Sequence, residues 1–101
     1  MTTGPILDFH PRALAEARAA RRWYARRSPS AAARFDAELD NATRQIETAP
    51  GQWPPYLIGT RVYRLHRFPY LVVYVERPLV LRVVAVAHAS RRSGYWRRRL
   101  P

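Results

Sequence analysis

The sequence predicts an α+β fold in which a two-helix hairpin packs on a mostly antiparallel four-stranded sheet, in the order β-α-α-β-β-β. Two amphipathic segments stand side by side within residues 11–49, and each begins with a proline. Three apolar or alternating segments follow within residues 60–88. Their short connections favour antiparallel neighbours. We expect residues 1–101 to form a single domain, because this length suffices for one modest core.

The first strand and the first helix are predicted from alternation and helical spacing. Leu7, Asp8 and Phe9 alternate apolar and polar side chains, and the segment Ile6–Phe9 is short, so we expect an edge strand. A helix should run from Pro11 to about Arg26, because proline is favoured at the first helical position. Trp23 and Tyr24 should together anchor the C-terminal end of this helix. The buried stripe is expected to comprise Ala13, Leu14, Ala17, Ala20 and Tyr24.

The second helix has a clear start and a regular apolar stripe. Ser28 is the expected N-cap, with Pro29 at the first helical position, and Pro50 ends the helix. Asp40 and Arg44 are spaced to pair on the outer side. The buried stripe follows steps of three and four residues through Ala32, Phe35, Leu39, Ala42 and Ile46.

The second half of the chain predicts a loop and three strands. Proline and glycine dominate residues 50–59, so this segment should be a loop anchored by Trp53. The strands are expected at residues 60–65, 71–76 and 80–88. The last two are almost wholly apolar, which is typical of strands buried on both faces. Arg82 interrupts the last strand, and we expect it to extend to solvent or to pair with Glu76.

The charge of the chain indicates a polyanionic partner. The net charge is +11, and all 18 basic residues are arginine. Residues 51–101 hold ten arginines and one acid, whereas residues 1–50 hold eight arginines and six acids. A basic half of this kind suits nucleic acid or an acidic protein segment. A solvated basic face without a dedicated partner ranks second, because so much uncompensated charge opposes folding.

Several classes of protein are excluded by composition. The chain has no cysteine, which excludes disulfides and thiolate chemistry. Its three histidines lie far apart in sequence, so we expect no metal and no cofactor. The first residues lack the pattern of a signal peptide, and an apolar run such as Leu71–Val75 is too short to span a bilayer. We therefore expect a cytoplasmic protein with no membrane partner.

The remaining candidates for chemistry are arginine, histidine and tyrosine side chains around the predicted sheet. Their side chains suit phosphate contact, base stacking or proton transfer at an RNA 2′-hydroxyl, and equally a docking surface for an acidic peptide. Plainer interpretations are a structural His88, core packing of Tyr95 and Trp96, and a disordered basic tail from about residue 97. The candidates are Arg61, Arg64, Arg67, His88, Arg91, Arg92 and Tyr95.

Over residues 9–96 the chain resembles the RelE/ParE superfamily of toxins from type II toxin–antitoxin systems. The resemblance is carried by HPRALAEARAARRWYARRSPSAAARFDAEL, PGQWP, RVYRLHRFPYLVVY and VVAVAHASRRSGYW. Its most specific parts are FPYLVVY, at residues 68–74, and AVAHASRRSGYW, at residues 85–96. The resemblance implies a helical hairpin against an antiparallel sheet, in agreement with the order of elements above.

One branch of the superfamily consists of ribosome-dependent mRNA endonucleases. Resemblance to this branch implies a catalytic set of Arg64, His88, Arg91 and Tyr95. Three positions at which those relatives carry a basic residue hold Val62, Leu71 and Ala89 here. The set is therefore incomplete, and losing charge stabilisation at a phosphate lowers cleavage rates by orders of magnitude. Other arginines could supply the missing charge, namely Arg61, Arg67, Arg91 or Arg92.

The other branch, the ParE-like toxins, lacks the nuclease set and poisons DNA gyrase through protein–protein contact. We expect this mechanism first, the mRNA endonuclease second, and a degenerate member retained as a regulator third. The resemblance also implies a cognate antitoxin whose acidic C-terminal segment folds on the toxin, giving a toxin–antitoxin hetero-oligomer. The residues expected to bind the target or the antitoxin are Arg61, Arg67, Arg92, Arg97 and Arg98.

Overall fold

The computed structural model describes residues 4–101 and contains the predicted elements in the predicted order. The helices and strands are β1 (Ile6–Phe9), α1 (Pro11–Arg27), α2 (Pro29–Thr48), β2 (Arg61–Arg64), β3 (Tyr70–Glu76) and β4 (Val80–His88). Single 3₁₀ turns lie at Leu57–Gly59 and Arg97–Arg99. Within the described range, no helix combines the length and the apolar character needed to cross a membrane.

The sheet has the strand order β1-β4-β3-β2. The two pairs formed by β2, β3 and β4 are antiparallel, whereas β1 pairs with β4 in parallel, from Ile6 opposite Val80 to Phe9 opposite Val83. The helical hairpin is the crossover that a parallel connection requires. The predicted fold class is confirmed, including the position of β1 at an edge.

A bulge in β4 places two consecutive side chains, those of Val84 and Ala85, on the same side of the sheet. Val73 pairs with Ala85, but the next residue, Tyr74, pairs with Val83, so Val84 is the extra residue. Val83, Val84 and Ala85 are all fully buried. A bulge allows this because it breaks the strict alternation of a strand and increases its local twist.

Two apolar clusters, one on each side of the sheet, make up the core. The first core lies under the helices, where Phe35 and Ile46 of α2 meet Val72 of β3. The second core contains Val84 and is closed by Trp96 from the C-terminal segment. Strands β3 and β4 are thus buried on both faces over most of their length, as predicted. Trp96 packs in the core as expected, but on the face of the sheet opposite the helices and not against them.

A single residue joins the two helices. The Ser28 N–H donates to the Tyr24 carbonyl at the end of α1, at 2.9 Å. The Ser28 Oγ accepts a hydrogen bond from the Ala31 N–H at the start of α2, at 3.4 Å. The residue therefore caps one helix at its end and the next helix at its start, as the predicted N-cap requires.

The predicted stripe is confirmed on α2, except that Leu39 is only half-buried, and is partly wrong on α1. Leu14, which was predicted to belong to the buried stripe, is 37% exposed, and Trp23, which was predicted to anchor the end of the helix, is 45% exposed. The reason is that α1 approaches the sheet through small side chains, which leaves the larger flanking residues outside. The Trp23 ring instead carries the Arg27 guanidinium 3.2 Å from its centroid. The buried residues of α1 are Ala13, Ala17 and Ala20.

Of the two interpretations of Arg82, the pairing with Glu76 is wrong, whereas its side chain does remain partly exposed. Arg82 does not pair with Glu76, because the parallel register places Asp8 directly opposite it, and Arg82 donates to both Asp8 oxygens at 3.1 and 3.0 Å. Glu76 instead accepts from Arg61 at 3.3 Å. The tail from residue 97 is not a loose basic end, since it forms a 3₁₀ turn whose last side chain is largely buried. The predicted pair of Asp40 and Arg44 is present at 2.9 Å.

Candidate functional site

Glu16 on α1 is the centre of a polar site that we call the Glu16 cluster, formed with Tyr95 and Arg99. Its Oε1 accepts from Arg99 Nη1 at 2.9 Å and from the Val86 N–H at 3.0 Å. Its Oε2 accepts from the Tyr95 hydroxyl at 2.6 Å and from Arg99 Nη2 at 3.0 Å. The Arg99 and Glu16 side chains are only 11% and 17% exposed. Two-pronged, charge-assisted pairs of this kind are strong and geometrically specific.

The Glu16 cluster lies where β4 loses its neighbour. Strand β1 ends opposite Val83, whereas β4 continues to His88. Beyond that point the Val84 carbonyl accepts from Arg99 Nη1 at 3.0 Å, and the Val86 N–H donates to Glu16. Unpaired backbone groups on a sheet edge need partners. Side chains therefore provide here the hydrogen bonds that a longer β1 would have provided.

Tyr95 is positioned by the glycine before it. Gly94 has a φ of 78°, in the left-handed region that glycine tolerates, and the following two side chains diverge. Tyr95 reaches Glu16 with its hydroxyl, and Trp96 enters the second core. Burial raises the pKa of Tyr95 well above its ordinary value, and the hydrogen bond to Glu16 raises it further. The hydroxyl is therefore neutral and donates its hydrogen bond to Glu16.

A cavity of about 430 Å³ adjoins the Glu16 cluster and is lined by seven residues, six of them arginine. We call it the cationic cavity. The Arg91 guanidinium lies 3.9 Å from the centroid of the Tyr95 ring, and that of Arg99 lies 5.2 Å from it. Arg99 alone among the lining residues has an ion pair within the described chain. The lining residues are Arg12, Arg91, Arg92, Tyr95, Arg97, Arg98 and Arg99.

His10 borders the same positive region at the start of α1. Its Nδ1 accepts from the Arg12 N–H at 3.1 Å, so the ring acts as the N-cap of the helix. Partial burial lowers the pKa of His10, and the nearby charges of Arg99, Arg82 and Arg12 lower it further. The neutral ring that the cap requires is therefore favoured.

A second depression, which we call the α1 groove, lies beside the cationic cavity between α1 and the ends of β3 and β4. It has a volume of about 440 Å³ and shares Arg91 with the cavity. Most of its wall is apolar or aromatic, and the exposed Trp23 ring forms part of it. Its lining consists of Glu16, Ala19, Ala20, Trp23, Tyr24, Pro69, Tyr70, His88 and Arg91.

The structure does not bring the four predicted catalytic residues into one site. Arg64 pairs with Leu71, which packs in the second core, so Arg64 projects from that face. His88 pairs with Tyr70, which packs against the first core, so His88 projects from the helix face. Arg64 and His88 therefore lie on opposite faces of the sheet.

The remaining two predicted catalytic residues are near His88 but have other contacts. Arg91 lines both depressions, and Tyr95 is engaged by Glu16. His88 packs edge-on against Tyr70, and its Nδ1 accepts from the Ser90 N–H at 3.1 Å. These contacts hold the His88 ring beside Tyr70 and Ser90.

The five arginines predicted to bind a target or an antitoxin fall into two groups. Arg92, Arg97 and Arg98 lie together in the cationic cavity. Arg61 lies elsewhere, on β2, where it donates to Glu76 and to the Trp53 carbonyl. Arg67 is an exposed loop residue whose N–H bonds the Glu38 carboxylate.

Sequence reasoning missed Glu16, Arg12 and Arg99. Glu16 is the only acid in α1, and it lies beside the buried Ala13 and Ala17, which was the available signal for a buried partner. Arg99 could not be distinguished from its neighbours without the tertiary fold. No group of three or more potential metal-ligating side chains stands together within residues 4–101.

Comparison with known proteins gives one family and one fold. The family model described as the ParE toxin of the type II toxin–antitoxin system parDE matches residues 7–93. A solved chain from a chromosomal ParDE toxin–antitoxin system of P. aeruginosa aligns with a TM-score of 0.75, covering 88% of this chain and 100% of that chain. Its sequence identity is 15%, so the likeness concerns the fold. No curated protein sequence matches this chain.

Proposed function

The chain belongs to the ParE toxin family of type II toxin–antitoxin systems, and from this premise we propose that it arrests growth by binding and poisoning DNA gyrase. In this proposal the toxin acts through protein–protein contact and cuts no RNA. Its partner within the system is a cognate antitoxin. The proposal combines the family membership with the state of the side chains that an RNA-cleaving relative would use.

The observation that carries the choice of mechanism is the bond between Tyr95 and Glu16. General acid–base catalysis needs a side chain that can exchange its proton with the substrate. The Tyr95 hydroxyl donates to Glu16 at 2.6 Å, and its pKa is raised by burial and by that bond. With Arg64 and His88 on opposite faces as well, the described side chains favour a binding role over cleavage.

The two depressions support recognition of protein partners. The α1 groove offers an apolar floor with an exposed aromatic ring, which is typical of a surface that receives a partner's apolar side chains. Arg91, the arginine that lines the groove itself, would favour an acidic residue at its border, and such charges accelerate association. We propose that the antitoxin supplies an acidic C-terminal segment, and that its binding weakens with salt.

The test compares gyrase and mRNA as targets of the same purified toxin. DNA gyrase with ATP and relaxed plasmid should lose supercoiling activity and accumulate cleaved, protein-linked DNA when the toxin is added. A ribosome translation reaction treated with equal toxin should keep its mRNA intact. Tyr95→Phe should retain gyrase inhibition, because the ring and its cation stacking remain.

The alternative is a ribosome-dependent mRNA endonuclease with an altered site. The observation in its favour is the proximity of Arg91 to both Tyr95 and the groove that contains His88. It predicts site-specific mRNA cleavage in the translation reaction, lost in Tyr95→Phe. That result, with gyrase activity unaffected, would overturn the gyrase proposal.

A further inference from the structure

The cationic cavity is lined by six arginines and one tyrosine, so its walls offer mainly positive charge and hydrogen-bond donors. Of its seven lining residues, five are arginines without an ion pair in the described chain: Arg12, Arg91, Arg92, Arg97 and Arg98. These guanidiniums come from three segments, namely the first turn of α1, the turn after β4 and the C-terminal 3₁₀ turn. Gathering like charges in one concavity raises their mutual repulsion unless an anion occupies it.

The arrangement is rigidly held, which favours a fixed ligand geometry. Trp96 is buried in the second core, and Arg99 is bound to Glu16, so the intervening Arg97 and Arg98 are anchored on both sides. Arg91 is placed on the Tyr95 ring. A guanidinium stacked in this way keeps its N–H groups free at the edge, where they can donate to phosphate oxygens.

The residues that line the cationic cavity suit a phosphate backbone better than an acidic peptide. Among the residues that the structure describes, no aliphatic side chain lines the cationic cavity, so an amphipathic peptide would find little apolar contact there. The apolar contacts are collected in the adjacent α1 groove. Phosphate groups need only donors and positive charge, and guanidinium is their preferred bidentate partner.

The same lining residues suit double-stranded nucleic acid better than single-stranded nucleic acid. Single-stranded nucleic acids are held mainly by bases stacked on exposed aromatic rings. Within residues 4–101, Tyr95 is the one aromatic residue that lines the cationic cavity, and the guanidiniums of Arg91 and Arg99 both lie against its ring. A duplex backbone, in contrast, offers regularly spaced phosphates and needs no stacking surface.

We propose that the cationic cavity binds the phosphate backbone of duplex DNA, through Arg12, Arg91, Arg92, Arg97 and Arg98. The binding is independent of base sequence, since phosphate contacts carry no sequence information. This activity goes beyond target inhibition, and it does not depend on which cellular target the toxin has. On a gyrase target it would let the toxin contact the enzyme and its DNA together.

The experiment measures binding of the purified toxin to a fluorescent duplex of about 20 base pairs by anisotropy, at several salt concentrations. With five free arginines engaged, log K should fall against log salt with a slope of roughly −4 to −5. Arg91→Ala/Arg92→Ala should reduce the size of this slope by about 2, and should weaken binding on the order of 50-fold near 0.1 M salt.

The matched control is Arg18→Ala/Arg22→Ala, which removes the same charge from exposed positions of α1 outside the cavity. It should weaken binding no more than about threefold through the general field of the protein. A second cavity pair, Arg97→Ala/Arg98→Ala, should reproduce the effect of the first pair without touching the Tyr95 stack. Circular dichroism melting verifies that each variant is folded.

Three outcomes would overturn the proposal. The first is an equal loss of affinity in the control pair and both cavity pairs, which would indicate a diffuse field with no site. The second is equal or tighter binding of the single strand, which would indicate base stacking. The third is displacement of the duplex by a glutamate-rich peptide that binds more tightly with the same dependence on the cavity arginines, which would assign the cavity to an acidic protein segment.

Discussion

Glu16 and Arg99, 83 positions apart in the chain, form a two-pronged ion pair with N–O distances of 2.9 and 3.0 Å. Each partner also bonds the backbone of β4, at Val86 and Val84 respectively. The pair therefore connects α1, the open flank of β4 and the C-terminal segment in one place. Its stability should decide whether the cationic cavity keeps its shape.

Glu16→Gln should destabilise the toxin substantially, because it leaves a largely buried guanidinium without its anion. We expect the free energy of unfolding to fall by about 2–3 kcal/mol, somewhat below the range for fully buried pairs. Urea unfolding followed by circular dichroism measures the change. Asp40→Asn is the control, since it breaks the exposed pair with Arg44 and should cost less than about 0.5 kcal/mol. Equal losses in both variants would contradict the role given to Glu16.

Alkaline pH should unfold the protein through its buried tyrosines. Burial raises the pKa of Tyr74 to about 12, and the pKa of Tyr95 is raised as well. A tyrosine whose folded pKa exceeds its unfolded value stabilises the fold fully below about pH 10, and that contribution is lost as pH rises further. Above pH 10, the free energy of unfolding of the parent falls as Tyr95 ionises. In Tyr95→Phe it should fall less steeply, by up to about 1.4 kcal/mol per pH unit. Denaturant titrations at several pH values measure this dependence. An unfolding free energy that falls equally with pH in the parent and in Tyr95→Phe would refute the assignment.

Acid should weaken the start of α1 through His10. Its pKa is lowered, chiefly by burial, so its contribution to stability is complete above the unfolded value near 6.5 and is lost as pH falls through the lower folded value. Protonation removes the acceptor that caps the Arg12 N–H, at a cost of about 1 kcal/mol. His10→Asn keeps a neutral capping oxygen, so its unfolding free energy should change less between pH 7 and pH 5. A variant as acid-sensitive as the parent would count against the cap.

Truncation of Trp96 should cost far more stability than truncation of Trp23. Trp96→Ala removes a side chain that is 2% exposed from the second core and should cost about 3–5 kcal/mol. Trp23→Ala removes a ring that is 45% exposed and contacts Arg27, so it should cost less than about 1 kcal/mol. Thermal unfolding of both variants gives the comparison. Trp23→Ala should also weaken the binding of a partner in the α1 groove while the protein stays folded. Trp96→Ala should affect binding only through loss of the fold.

Sequence patterns predicted the elements that depend on local periodicity. The stripe of α2 is wide and regular, and Phe35, Ala42 and Ile46 are buried as expected. On α1 the apolar residues are mostly alanines, and alanine permits a close approach that excludes its larger neighbours. Helical spacing therefore assigns Leu14 to the core although it flanks it, and it does not reveal that Trp23 remains exposed.

The candidate site was less accessible from sequence because it depends on contacts between distant segments. The partner of Arg82 follows from the parallel register that places Asp8 opposite it, and hydropathy does not reveal that register. The position of Glu16 likewise depends on where β1 stops along β4. The arginines that line the cationic cavity were visible as a charge excess, but only the fold divides them from Arg61 and Arg64.

The single-residue connection at Ser28 has a consequence for how partners are received. With one residue between two capped ends, α1 cannot slide or rotate unless α2 moves with it, and α2 is held in the first core by Phe35 and Ile46. The α1 groove is therefore a preformed receptor, and the loss of conformational freedom on association falls mainly on the incoming chain. Lengthening this connection by a few glycines would loosen the receptor and slow its recognition while leaving every contact residue in place.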